Sequence, residues 1–266
     1  MVASGRNKEV IALIGVALAL LIIFSSLYLY TENWPPAVIV ESKSMQHGNN
    51  FVFGVINTGD IVAVKRASSF WDVITYLVAR EDGGPVTYGE YGEVIVYRNY
   101  LLNELVIHRA MFYVSGWSGD SPIIYGDKDP SWISIRGPLV YIEDVGFSHR
   151  DLVVDLQSYI GQTGFVTMGD YNFAFSEYKS GNYYVGADQN LGIDNSLVNQ
   201  SQVFGYAVGY LPIVGVIKLW DLKLIGKITY IPETTNIVMI IILSLLVIFI
   251  VLPVSTGNKN RKMKEN

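Results

Sequence analysis

Two long apolar runs bracket a chain that otherwise alternates in short steps. From Val10 to Tyr30 no charged side chain interrupts the sequence, and about 21 residues at 1.5 Å each span roughly 30 Å, the thickness of a hydrocarbon core. A second run, Ile237 through Val254, lies in a charge-free stretch bounded by Glu233 and Lys259, and its Ile, Leu and Val content suits another crossing. Between them, Ala37-Val38-Ile39-Val40, Asp60-Ile61-Val62-Ala63-Val64, Glu93-Val94-Ile95-Val96-Tyr97, Glu104-Leu105-Val106-Ile107 and Gly164-Phe165-Val166-Thr167-Met168 are short β-branched runs that predict strands. Glycines inside Val203-Phe204-Gly205-Tyr206-Ala207-Val208-Gly209-Tyr210 mark a bulge or tight curvature in one more.

Two stretches read as additions to this β core. Phe70 through Val78 predicts an amphipathic helix, followed by a loop at Glu81-Asp82-Gly83-Gly84-Pro85. Its apolar face suits the core, a partner site or a membrane surface, in that order. Residues 116–150, rich in Gly, Asp, Pro and Trp, predict hairpins and loops.

Composition turns this β protein into a membrane-anchored one. Half of the 266 residues are hydrophobic and 16% are charged, with a mean hydropathy of +0.31. Arg6 and Lys8 precede the first apolar run, while Lys259, Arg261, Lys262 and Lys264 follow the second, so the positive-inside rule puts both tails in the cytoplasm. The expected organisation is a cytoplasmic tail (1–9), a transmembrane helix (10–30), an extracytoplasmic β-rich catalytic domain (31–234), a second transmembrane helix (235–254) and a basic cytoplasmic tail (255–266). A cleaved secretory signal competes for the first run, but the run exceeds the usual apolar core of about 7–15 residues and no small-x-small site follows it. A buried hydrophobic helix competes for the second. Trp34-Pro35-Pro36 suits the bilayer interface. Without cysteine there are no disulfides, and a net charge of −5 with no basic stripe outside the tails argues against a nucleic-acid partner.

Candidate chemistry centres on Ser42-Lys43-Ser44-Met45 and Val106-Ile107-His108-Arg109. A serine needs a base within hydrogen-bond reach and donors aimed at the developing oxyanion before it can attack an amide. For Ser44, the candidate oxyanion donors are the Ser42 hydroxyl, two positions away on the same side of an extended chain, and the Ser44 backbone N–H. Alone, the serine pair equally fits a solvated turn. Of three histidines, His108 ends an apolar strand, where a satisfied core histidine is the plainer account; His47 is too close to Ser44 along the chain to be poised easily as its base, and His149 lies in a polar loop. His47 and His108 make a thin case as metal ligands without a denser cluster, and neither a metal nor an organic cofactor is called for. For the acid that orients the histidine, Asp188 after Ala187 and Asp170 after Gly169 are both plausible, Asp170 equally as a turn residue and Asp194 more remotely. Arg109 most simply pairs with a nearby acid.

Taken together these segments resemble type I signal peptidases, specifically the archaeal and endoplasmic-reticulum branch whose base is histidine. The matches run in family order: Val38 to Met45 looks like the serine box, Gly59 to Val64 like the strand after it. Then come Gly92 to Tyr97, Val106-Ile107-His108-Arg109, Val166 to Asp170 and Gly205 to Gly215. The resemblance implies a mainly β, signal-peptidase-like fold with Ser44 as nucleophile, His108 as base and Asp188 as the orienting acid. It also implies cleavage of secreted preproteins after small residues, with the signal peptide bound in extended form beside the serine strand. Preproteins, the lipid bilayer and the secretion translocon are the partners it suggests. The chain departs from the family where Gln46, His47 and Gly48 replace a proline turn, and where the second aspartate comes only at Asp188, after an inserted loop. The rival from another class is a non-catalytic, membrane-tethered β domain that binds secreted or envelope polypeptides.

Overall fold

The computed structural model describes residues 2–228 and 231–251. It opens with a helix α1 (Val2–Thr31) and proceeds through strands β1 (Ala37–Ile39) and β2 (Ile61–Lys65), a helix α2 (Tyr76–Asp82), a two-residue hairpin β3 (Val86–Thr87) and β4 (Glu90–Tyr91), and then β5 (Val94–Asn99) and β6 (Glu104–Ser118). Strands β7 (Ser121–Ile124), β8 (Ile133–Arg136), β9 (Leu139–Val145), β10 (Arg150–Asp155) and β11 (Gly164–Met168) follow. The chain continues with a short helix α3 (Asp170–Ala174), β12 (Lys179–Ser180), β13 (Tyr183–Val185), α4 (Asp188–Leu191), β14 (Val203–Leu211), α5 (Val216–Leu224) and α6 (Glu233–Val251). The protein is mainly β, as its alternating pattern predicts.

One sheet runs β1-β2-β14-β5-β6-β11, with β7 pairing to β6, and a second runs β12-β13-β10-β9-β8. β5 is buried on both sides, and its alternation serves two separate clusters. Val94 and Val96 join Val40, Met45, Ile56, Val62, Val64 and Ala207. Ile95 and Tyr97 join Ala67, Val73, Val106, Ala110, Phe165 and Val198. The larger core lies between the sheets, where Phe112, Val114, Val140, Ile142, Leu152 and Phe173 meet. β6 runs far past its predicted end at Ile107, because its second half pairs with β7 and β11 and packs on this core.

Two expectations are corrected. The helix predicted from Phe70 is split: Ser69 and Asp72 form a capping box that closes a single 3-10 turn at Phe70–Asp72, and Val73 is extended. Thr75 then caps α2, which takes in Glu81 and Asp82 of the expected loop and stops at Gly83, where φ is 65°. The second transmembrane helix at 235–254 is not supported as a span. Among the described residues Val10–Thr31 is the helix long and apolar enough to cross a bilayer, and its apolar window is wholly unburied, whereas Glu233–Ile248 is shorter. Thr235 and Met239, on the first turns of α6, are buried, and Met239 packs with Val216, Leu219 and Leu222 of α5, which leaves little free apolar length. Residues 252–254 and the basic tail lie outside the described residues.

Candidate catalytic site

The serine segment is held by what flanks it. Met45 is 1% exposed and plugs the cluster beneath β2 and β5, so the preceding residues are pinned at the rim of the sheet. The Lys43 ammonium donates to the Tyr171 hydroxyl at 2.8 Å, which in turn donates to Asn49 Oδ1 at 2.7 Å. The Tyr171 backbone N–H donates to the Ser44 carbonyl at 2.9 Å. α3 therefore grips the segment from one side, and Ser42 Oγ donates to Ser44 Oγ at 3.2 Å from within it.

His108 comes from β6, whose pairing sets its position: Ile95 faces His108, and Met168 of β11 faces Arg109. A bulge in β6 opposite Val166 and Thr167 adds local twist beside the site. Successive strand residues point to opposite faces, so His108 and Arg109 serve different acids. His108 Nδ1 meets Asp188 Oδ2 at 2.6 Å, and both residues are buried. Asp188 reaches this place although it lies far beyond β11, because Ala187 bridges to Met168 and closes the inserted excursion back onto the sheet. The same oxygen accepts from Thr167 Oγ1 at 2.6 Å and from the Tyr97 hydroxyl at 3.2 Å.

Asp170 is taken by a different partner. Arg109, fully buried, donates from Nε to Oδ1 at 2.9 Å and from Nη2 to Oδ2 at 2.7 Å, while its Nη1 donates to the carbonyls of Thr87, Glu90, Tyr91 and Gly92. His47 Nε2 adds a contact to Asp170 Oδ2 at 3.2 Å and stacks on Phe147 with centroids 4.1 Å apart. Burial pushes the Asp170 carboxyl up, but Arg109 and His47 outweigh it and hold the group below its ordinary value. His149, the third histidine, is exposed on the surface with Asp144 at 2.8 Å.

Ser44 and His108 line one cleft of about 800 Å³ with Val38, Ile39, Ile107 and Ser42, which starts at Pro35 just beyond α1. Gly169 sits between them: a Cβ built there would lie 2.8 Å from the Ser44 carbonyl oxygen and 3.0 Å from His108 Nε2. His108 Nε2 and the Ser44 carbonyl thus lie against the same glycine, while the Ser44 hydroxyl accepts from Ser42. Tyr97 and Thr167 carry no signal of their own in the sequence; only the pairing of their strands makes them part of the site. Comparison with family models and with curated proteins gives no match for the chain.

Proposed function

We propose that the chain is a membrane-tethered serine endopeptidase of the signal peptidase I type, which removes N-terminal signal peptides from preproteins by cutting after small residues. Ser44 attacks the carbonyl that ends the signal peptide, and His108 Nε2 takes the hydroxyl proton. Asp188 holds the tautomer with hydrogen on Nδ1 and stabilises the imidazolium. The Ser42 hydroxyl and the Ser44 N–H receive the developing oxyanion. Collapse to the acyl-enzyme returns the proton to the leaving amine, and water then releases the signal peptide.

The observation that carries this reading is the buried His108–Asp188 pair at 2.6 Å, with His108 and Ser44 lining one cleft and both lying against Gly169. β1 is an edge strand, so a substrate in extended form has unpaired backbone groups to add to. A cleft that begins next to the anchor suits a scissile bond just outside the bilayer, and confinement to one surface raises the effective concentration of enzyme and substrate. In this reading the N-terminal tail is cytoplasmic and the β domain lies on the other side of the bilayer. Ser44→Ala in the full-length protein, reconstituted in vesicles with a labelled preprotein, is expected to abolish the new N-terminus while far-ultraviolet circular dichroism stays unchanged. Cleavage at the parent rate would overturn the proposal.

A further inference from the structure

Asp188 has an uneven load. Its Oδ1 is buried with no hydrogen-bond partner among the described residues, while Oδ2 faces three donors: His108 Nδ1, Thr167 Oγ1 and, farthest, the Tyr97 hydroxyl. An oxygen with two lone pairs serves two of these well. Tyr97 has a better acceptor in Asp194 Oδ2 at 2.7 Å, against 3.2 Å to Asp188, and its single hydrogen serves one of them at a time. Tyr97, Thr167 and Asp188 are fully buried and Asp194 is 3% exposed, so no bulk water relieves the competition. We infer that Asp194 is a positioning residue of the same site, acting through Tyr97 to set how much of the Asp188 charge is left for His108.

With Asp194 ionised, Tyr97 donates to it and Asp188 keeps its charge for the imidazolium. With Asp194 neutral, the tyrosine hydrogen turns to Asp188 and weakens that hold, and a nearby negative charge is lost as well. Burial, and next the Asp188 charge, push the Asp194 carboxyl above its ordinary value, whereas the Tyr97 hydrogen bond and His108 draw it down. The groups that face it are Tyr97 from β5, His108 from β6, Asp188 from α4, and Tyr159 from the turn at Gln157–Tyr159.

The catalytic consequence rests on the protease reading, but the coupling itself does not. Histidine imidazole titrations by NMR on the full-length protein in micelles read it directly, with His47 and His149 as internal references. Asp194→Asn is expected to move the His108 midpoint downward by about one pH unit, a tenfold change in protonation equilibrium. In the Tyr97→Phe background the same substitution is expected to move it by clearly less, because only the direct charge effect remains. In the preprotein assay, Asp194→Asn is expected to shift the acid limb of the pH–rate profile the same way and to lower kcat roughly tenfold with KM unchanged, within the usual reach of base catalysis. An unmoved His108 midpoint in folded Asp194→Asn overturns the inference, as does an equal shift with and without the tyrosine hydroxyl. Should Asp194→Asn not fold, Tyr97→Phe cuts the link from its other end, and an unmoved midpoint there has the same force. A shifted midpoint without any preprotein cleavage retains the coupling and removes the protease reading, and cleavage with no shift does the reverse.

Discussion

Two imidazole–carboxylate pairs flank the serine segment, His108–Asp188 at 2.6 Å and His47–Asp170 at 3.2 Å, and they differ in what else the carboxylate holds. Asp170 is clamped by a buried guanidinium through two parallel bonds, so its charge is largely spent on Arg109. Asp188 is met by hydroxyls and by the imidazole, and among the described residues no cation other than a protonated His108 is placed to neutralise it. A carboxylate near a histidine is therefore not enough; the absence of a competing cation is what leaves charge available for an imidazolium. Asp170 instead ties α3 to His47 and, through Arg109 of β6, to the carbonyls of the β3–β4 hairpin.

The widest separation is expected from exchanging the two acids for amides. Asp188→Asn should lower kcat by about 10⁴ through loss of the required tautomer, with a modest change in thermal midpoint. Asp170→Asn should do the opposite: it leaves Arg109 buried and unpaired, which costs about 3–5 kcal/mol, and shows as a fall in thermal midpoint larger than any fall in kcat of the folded fraction. Equal losses of stability in both variants would break the distinction. Because the Asp170 carboxyl is held below its ordinary value, its share of stability is complete above the unfolded value of 3.8 and is lost as pH falls through the lower folded value. Acid unfolding curves of parent and Asp170→Asn should therefore converge only at strongly acid pH.

Next in size is Gly169→Ala. The new methyl meets the Ser44 carbonyl, the Asn172 amide nitrogen and the ring of His108; the amide can swing away, but the backbone and the ring are not loose ends, so Ser44 and His108 must give by a few tenths of an ångström or more. A loss of roughly 10²-fold in kcat is expected, in line with the cost of an ångström-scale misplacement. A variant with parent kcat would show that the two groups do not need this approach.

The smallest effect lies away from both pairs. Burial, with help from Asp72 and against a hydrogen bond from the Ile74 N–H, pushes Glu93 up to about 7 from 4.5. The native state then binds this proton more tightly than the unfolded chain, so stability declines as pH rises from 4.5 to about 7 and levels above it. Glu93→Gln should remove that slope, with a gain in thermal midpoint at pH 8 relative to pH 5 of about 2–4 °C per kcal/mol at this size. Differential scanning at the two pH values checks it; no difference between them would place the glutamate in water.

Strands such as Ile61–Lys65 and Gly164–Met168 were legible because a period of two is local, and the length of the first apolar run is local in the same sense. The division of Phe70–Asp82 into a turn and a helix was written in Ser69, Asp72, Thr75 and Gly83, caps whose signal the broader apolar pattern masked. Ser44, His108 and Asp188 stood out through the resemblance of their segments to a known family, whereas Tyr97 and Thr167 look like any residues of a β run.

By itself the sequence determined the alternation that makes this a β protein, one apolar segment of bilayer length, and a short set of residues able to act as nucleophile, base and acid. Which acid meets which base was decided by the tertiary structure. Met168 pairs with Arg109 on one side and bridges Ala187 on the other, so a loop of otherwise free length is returned to within hydrogen-bond reach of His108, while the adjacent Arg109 captures Asp170 on the opposite face. Register is a long-range property: a shift of one residue would turn His108 and Arg109 to each other's faces and exchange their acids.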